Sequence, residues 1–589
     1  MANVVKTQKR LDYEAQCYDV AMREFAQQQL IRSTFAAHWE EVAELILPHY
    51  RNTFYYQTYN WPGEKKTNRQ VDANGMLALS RFAAICDSLL TPRNMTWHQL
   101  QADDPYVMKD RATRLWFEEV TKILFRHRYA ARANFTSQNQ QNYQMLGAFG
   151  TGGMFTDSFD ATHGGGRGLR YRAIPLGELF ISENHQGMVD KATRWFRLTA
   201  RQCWQKWGEE NFPENLRPAL EQGSEMFYNF IHRIVPRGDY DPLRLDFMGK
   251  PFASQYFSVE GRCMLGEGGY TSFPISAGRY EQAPQEVYGR SPAMMVLPAL
   301  KTLNAQKTTF LKQGHRASDP VLLTADDGVV DMSLRPGAVN KGGVSADGRE
   351  LVKILPTGNI QINKEMMQEE KMLIQDAFLV SLFQILQETP QMTATEVIER
   401  TNEKGILLAP TVGRQQSEYL GPLIDRELDV LSQLNLLPPM PNRLREAKGA
   451  YKVEFTSPLA RAARAQEAAG WMRTVEHVKE LVAITQDPSL LDPFEFDVAV
   501  PAIAEINAVP ESWMSTPDKI AAKRKNRAQA QQAQQQIQAM PAQAAMMKAK
   551  AVAAKAQAET QGQGGGAPPP GGPEGAQPPQ QGGPIGAAA

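Results

Sequence analysis

The stretch Gly147–Gly168 (GAFGTGGMFTDSFDATHGGGRG) has the composition of a phosphate cradle. Such a loop wraps glycine N–H groups around phosphoryl oxygens and adds a lysine and a hydroxyl, in the order G-x-x-x-x-G-K-[ST]. Neither that order nor G-x-G-x-x-G occurs here, so the stretch reads as loop and turn. Gly249-Lys250 fails as well, with Arg244 at the position of the first glycine and Pro251 after the lysine. Gly289-Arg290-Ser291-Pro292-Ala293 begins like a nucleophile elbow but lacks the closing glycine. Ser291 followed by Pro292 is better suited to capping a helix, with proline in the first helical position. His38-Trp39-Glu40-Glu41 lacks the second histidine of a zinc motif, and the nine histidines are scattered. Asp239 and Asp241 lack the glycine and distal glutamate of a calcium loop. Cys17, Cys86, Cys203 and Cys263 lie tens of residues apart without C-x-x-C spacing, as reduced structural thiols do. No catalytic residue, cofactor or metal is therefore expected.

Two groups of cations remain. Lys519, Lys523, Arg524, Lys525 and Arg527 form the one notable charge run, either a solvated helix face or a contact with nucleic acid. Lys301, Lys307 and Lys312 recur along one helical segment, where they either pair with Glu365, Glu369 or Glu370 of the same chain or of a neighbouring copy, or face a phosphate backbone. The chain as a whole does not grip nucleic acid by net charge. Its 589 residues carry 64 basic and 64 acidic side chains, whereas a dedicated nucleic-acid-binding domain usually has a pI above ~9. Met1–Arg10 is polar and unlike a signal peptide. The most apolar run, Met76–Leu90, is broken by Arg81 and Asp87, so no membrane span is expected.

The elements that position these residues follow from periodicity. Apolar spacing predicts helices over Leu11–Leu47, Val71–Leu90, Asp110–Ala130 and Ala131–Leu146. Alternating stretches at 168–183, 187–200, 229–235 and 252–276 predict strands. Helices are predicted again at 292–316 and 362–387, and dense turn signals between them predict a small β insertion, 318–361. A loop follows, then the capping box Thr393-Ala394-Thr395-Glu396, a helix to Lys404, its resumption over 415–437, and helical blocks at 458–484 and 498–507. Residues 528–560 are rich in Ala and Gln, a marginal helix interrupted by Pro541, and 561–589 are mostly Gly and Pro, a composition expected to be disordered. The fold class is α+β, mainly helical.

This order of parts resembles the portal proteins of tailed bacteriophages, specifically the head-to-tail connecting proteins of short-tailed phages. The residues that carry the resemblance are Tyr288-Gly289-Arg290-Ser291-Pro292, Leu300-Lys301-Thr302-Leu303-Asn304, Ala377-Phe378-Leu379, Thr393-Ala394-Thr395-Glu396-Val397 and Gly421-Pro422-Leu423. It covers residues 10–510. The resemblance implies a wing (1–290, completed by 396–455), stem helices (291–317 and 362–386), a clip (318–361) and a crown (456–512). It further implies a tunnel loop at 387–395, with Gln387, Glu388, Thr389, Pro390, Gln391 and Met392 meeting DNA in the channel. Residues 513–560 would extend the crown as a helical barrel, with the basic cluster near packaged DNA.

A member of this family is a structural protein without catalysis. It forms a homo-oligomeric ring, a dodecamer, at one capsid vertex of the virion and is assembled in the host cytoplasm. Its implied partners are the large terminase subunit, the tail adaptor and tail tube proteins, the major capsid and scaffolding proteins, and double-stranded DNA in transit; no membrane is involved. Two other readings stay open: a phage-associated nucleic-acid enzyme or motor subunit, and an internal scaffold or core protein.

Overall fold

Apolar residues at positions 21, 25, 36, 39, 43 and 46 recur every three or four residues and form the buried side of a 39-residue helix, α1 (Gln8–Ile46). Pro48 follows its end. The structure is a computed structural model and describes residues 8–55, 63–159, 167–324, 333, 335–356, 360–380, 409–456, 458–486, 491–506, 509 and 513–560. The chain divides into a large unit, 1–511, and a C-terminal unit, 512–589.

In the large unit, α1 is followed by α2 (Asn74–Leu90), α3 (Arg111–Arg128) and α4 (Phe135–Phe149). Asp110 caps α3, its carboxylate accepting from Thr113 N at 3.2 Å. The Gly-rich stretch departs from its expectation of loop and turn. Its first part ends α4, and Thr151–Ser158 is a strand, β2, central in a sheet of order β3-β2-β9 with Leu169–Ile174 (β3) and Ile275–Arg279 (β9). The glycines serve close approach: a Cβ on Gly152 would lie 2.4 Å from Asn142 Oδ1, and one on Gly153 2.4 Å from Leu179 Cδ2.

The second sheet is an antiparallel meander of β4 (Leu179–Glu183), β5 (Val189–Thr199), β6 (Phe227–Pro236), β7 (Phe252–Ser258) and β8 (Cys263–Tyr270). One face packs on α1 through Trp195, Ile231 and Phe257 against Ala21 and Phe25. The opposite face receives helix α5 (Ala200–Trp207), which begins in a Thr199/Gln202 capping box and buries Cys203 against Phe196, Phe230 and Leu265. A pairing invisible to local pattern joins β1 (His98–Ala102) to β12 (Tyr451–Phe455), more than three hundred residues apart. The helices expected at 458–484 and 498–507 are Pro458–Thr485 and Phe496–Ile506, in edge-to-face contact through Trp471 and Phe496 at 5.8 Å.

Among the described residues the C-terminal unit contains one helix, Pro517–Thr560, begun by Thr516, whose hydroxyl accepts from Lys519 N at 3.2 Å. It runs through Pro541, contrary to the expected interruption. One proline removes a single backbone bond, and the Ala- and Gln-rich turns around it keep theirs. The Gly/Pro-rich tail, 561–589, lies outside the described residues.

Two fully enclosed histidines give the large unit a pH dependence. Burial, reinforced by Arg128, holds His98 well below the usual histidine range, and burial with Lys206 and Arg194 nearby does the same for His232. A histidine neutral when folded and titratable when unfolded stabilises fully above the unfolded pKa, and that contribution falls as pH drops towards the folded value. Between pH 6.5 and 5 the two together remove about 3 kcal/mol. Thermal melts at these two pH values check the drop, and His232→Phe flattens it by about half.

Candidate functional site

The sequence Tyr288–Pro292 joins the sheets to the first stalk helix through several unrelated contacts. Tyr288 is buried, and its hydroxyl accepts from Ile181 N at 3.2 Å. Gly289 and Gly150 meet backbone to backbone, so that a Cβ on either would stand 2.2 Å from the other's carbonyl oxygen. Gly150 also ends α4 at φ +77°. Ser291 caps the next turn as expected, accepting from Met294 N at 3.0 Å while its hydroxyl donates to Ala148 O at 2.8 Å. Ser291 is therefore a structural cap, fully engaged by backbone.

Two helices then run antiparallel, α6 (Leu297–Ser318) and α7 (Ile360–Ala377). Leu297, Leu300 and Leu303 bury the root of α6, and Met367, Ile374 and Phe378 bury that of α7 in the same core. Asn304 fixes the root to the start of α2: its carbonyl accepts from Val71 N at 2.7 Å, and its amide donates to Arg69 O at 3.0 Å. Away from the root both helices are largely exposed. Between them Leu322–Thr324 (β10) pairs antiparallel with Val352–Ile354 (β11), a short hairpin where the β insertion was expected.

Within one chain the stalk lysines do not meet Glu365, Glu369 or Glu370 among the described residues. Lys301 bonds Glu41 of α1 at 2.6 Å. Lys307 lies 5.6 Å from the Phe310 ring centre, and Lys312 lines a shallow cavity with Arg316, Val321 and Leu355. Among the described residues none of the three pairs with Glu365, Glu369 or Glu370. The contact of Gln313 with Asn363 explains part of this. It sets an antiparallel level that places Lys301 opposite Gln375, about 7 Å beyond Glu370 at 1.5 Å per residue, and Lys312 opposite Lys364. Residues 387–395 lie outside the described residues, as does the capping box at 393–396.

The chain re-enters the large unit in a helix that contains a π turn, Gln416–Leu420, before α8 (Gly421–Gln433). Pro422 has no N–H to bond the carbonyl four residues back, and Gly421 N bonds Gln416 O instead. Three arginine–carboxylate pairs hold this segment. Arg279 bonds Glu418 at 2.8 and 3.0 Å and also reaches Glu183. Arg426 bonds Asp429 at 2.9 Å and Asp157 at 3.3 Å. Arg128 and Glu427 are both wholly buried, and Tyr171 donates to the same carboxylate at 2.6 Å. Burial alone would lower the Arg128 pKa, but Glu427 more than reverses that and keeps the guanidinium charged.

The sequence reading missed these anchors, yet a signal existed. Glu427 stands in the buried stripe Leu423, Ile424, Val430, Leu431, and Arg128 in the stripe Phe117, Thr121, Leu124. A charge at a core position of a helix implies a buried partner.

The basic cluster Lys519, Lys523, Arg524, Lys525 and Arg527 occupies the first three turns of the C-terminal helix. Lys523 donates to Ser515 Oγ at 3.3 Å. Among the described residues no His, Cys, Asp and Glu converge as a metal site, and no helix is long and apolar enough to cross a membrane.

The large unit is thus a mixed α/β body from which two antiparallel helices carry a short β pair. Residues 19–514 match the family described as bacteriophage head to tail connecting protein. The chain is 28% identical over 514 residues to a probable portal protein of Bordetella phage BPP-1, covering 84% of this chain and 88% of that one. It is 27% identical over 516 residues to a portal protein of Salmonella phage epsilon15, covering 86% and 90%. Among solved structures it is similar to a chain of the virion of a native gene transfer agent particle, at 12% identity and TM-score 0.31, covering 68% of this chain and 85% of that one. The chain belongs to the family of bacteriophage head to tail connecting proteins. It is a portal-type connector of a phage particle.

Proposed function

We propose that the chain closes into a homo-oligomeric ring of twelve copies whose centre passes double-stranded DNA at one vertex of the capsid. Residues 1–290 and 396–455 act as the wing, 291–317 and 362–386 as the stem, 318–361 as the clip, 387–395 as the tunnel loop and 456–512 as the crown. The clip receives the large terminase subunit during packaging and the tail adaptor and tail tube afterwards. The wing meets the major capsid and scaffolding proteins. The ring is assembled in the host cytoplasm and acts as a passive conduit without catalysis.

The observation that carries this reading is the apolar surface that a lone subunit leaves in water. Ile362, Met366, Met372 and Leu373 on α7 are exposed, Met372 at 64%, as are Val339, Val344 and Ile354 in the insertion, Val339 at 86%. Head-to-tail contact between copies buries such surface and closes into a ring.

The channel chemistry follows from sparse charge. Lys307 and Lys312 attract phosphate weakly and under salt screening, which suits sliding. Lys301 is partly neutralised by Glu41. Gln387, Glu388, Thr389, Pro390, Gln391 and Met392 offer amides, one acid and no arginine, also a low-friction set. The basic cluster at the start of the C-terminal helix sits where the helix dipole disfavours cations. Packaged DNA is the partner that offsets this.

Electron microscopy of the purified protein tests the reading. Rings with a central hole and a protruding stalk are expected, with twelve-fold class averages. Met372→Glu combined with Ile362→Glu shifts the particles towards monomers in sedimentation velocity. Compact monomers that turn over nucleotide would overturn it.

A further inference from the structure

Arg194 on β5, His232 on β6 and Tyr256 on β7 are register partners and stand in a row on one face of the five-stranded sheet. The His232 and Tyr256 rings stack with centres 3.9 Å apart, and His232 Nε2 is taken up by Ser254 Oγ at 2.9 Å. From α5, Lys206 reaches over this row, its Nζ 3.8 Å from the Tyr256 ring centre and 5.7 Å from that of Phe196. The Arg194 guanidinium lies over the same Phe196 ring, at 4.8 Å. From the facing sheet comes Arg172, the register partner of Phe155, whose ring meets His232 edge-on at 6.1 Å. Three cations thus converge on a seam between α5 and the three-stranded sheet.

Their counter-charges are too few. Glu178 is bonded to Arg194, at 2.8 and 3.0 Å, and Asp157 is engaged by Arg426. Among the described residues neither Lys206 nor Arg172 has a carboxylate within ion-pair distance, yet both side chains are open to solvent. The walls of the seam strip hydration from Lys206, and with Arg194 and Arg172 beside it its pKa is pushed down to about 8. The arrangement is therefore held against like-charge repulsion. The Tyr256 ring accounts for Lys206, and Glu178 with the Phe196 ring for Arg194, but neither accounts for the Arg172 guanidinium beside them.

We propose that this seam is an oxyanion site that takes a phosphate group, with Lys206, Arg172 and Arg194 as its ligands. The planar Arg172 guanidinium supplies paired N–H donors, Arg194 supplies the Nη1 that Glu178 does not occupy, and the ammonium supplies a point charge, a combination matched to tetrahedral oxygens. The aromatic walls lower the local dielectric and strengthen each ion contact. Arg426 is shared between Asp157 and Asp429, so four cations face three carboxylates, and the excess of one positive charge is neutralised by a singly charged phosphate group.

Titration calorimetry of the full-length protein in its native oligomeric state, with inorganic phosphate at pH 7 and chloride-matched ionic strength, tests the site. Saturable binding is expected, weakened at least tenfold in Lys206→Met and in Arg172→Gln. Each substitution removes one of three mutually repelling cations, so the melting temperature in chloride does not fall. A short single-stranded oligonucleotide at equal phosphate concentration separates the sources. Displacement of bound phosphate identifies a nucleic-acid backbone as the ligand, and no displacement identifies a free phosphate group. Absence of phosphate-specific heat, or wild-type affinity in both variants, overturns the site. Neither result depends on the ring or on DNA passage.

Discussion

Glu427→Leu will destabilise the large unit by about 3–5 kcal/mol, the range for a buried ion pair that loses one partner. The carboxylate and Arg128 are fully enclosed, and the guanidinium bonds it through Nε at 2.9 Å and through Nη2. Without Glu427, the charge keeps the ring nitrogen of His98, 2.9 Å from Nη1, the nearby Tyr171 hydroxyl and the faces of Trp97, Phe125 and Phe135, none of which carries a compensating charge. His98 is neutral and cannot balance it. Arg128→Met should cost a similar amount, leaving a buried carboxylate with Tyr171 as its remaining hydrogen-bond donor. The double variant Arg128→Met/Glu427→Leu removes both charges and fills the space with apolar atoms. It should lie within about 2 kcal/mol of the wild type, because an enclosed pair roughly balances its own desolvation. Urea unfolding midpoints of the three proteins check this. Additive losses in the double variant would show that packing, and not charge, decides the site.

The second large effect is at Arg32. This guanidinium is 3% exposed, has no carboxylate partner, and donates instead to backbone carbonyls. Nη1 reaches Leu176 O at 3.0 Å, Gly177 O at 3.2 Å and Leu179 O at 3.0 Å, and Nη2 reaches Phe54 O at 2.9 Å. The Phe180 ring lies 3.6 Å below it, and burial pushes its pKa down to about 10. Arg32 thus ties α1 to the turn before β4. Arg32→Met removes this donor from four carbonyls, of which Leu176 O keeps the bond from Leu179 N; at about 1–3 kcal/mol for each that no other donor reaches, a loss of at least about 3 kcal/mol is expected. Arg32→Lys should recover little, because one ammonium cannot span carbonyls that a planar fork holds together. The control is Arg10→Met, an exposed residue paired with Glu14, which should change stability by less than about 0.5 kcal/mol. Thermal melts of the three variants separate these outcomes.

Both sites carry the same lesson about reading this chain. Arg32 stands in the stripe of Phe25, Ala36 and Trp39, so its position within an apolar face is legible in the sequence. What it bonds is not. Its acceptors lie 22 and 144–147 residues away, and Glu427 lies 299 residues from Arg128. No local pattern carries such separations, because buried polar partners are chosen by three-dimensional packing.

Elements set by local physics were legible. The period of apolar residues gives α1, α2, α3 and the stalk helices, Ser291-Pro292 gives a helix start, and turn residues bracket the hairpin between α6 and α7. These depend on neighbours within one or two turns. The order of such parts also carried the family resemblance. Tertiary structure decided the rest. Gly152 and Gly153 look like a loop in sequence but form a strand, since the missing side chains make room for Asn142 and Leu179. Lys301 looks like one of three equivalent stalk lysines but is held by Glu41, because the register of α6 against α7 carries it past the acids. The sequence by itself determined which segments are helices, which side of each is apolar and where charges interrupt that side. Only the fold decided which charge meets which, because that choice is made by contacts between segments hundreds of residues apart.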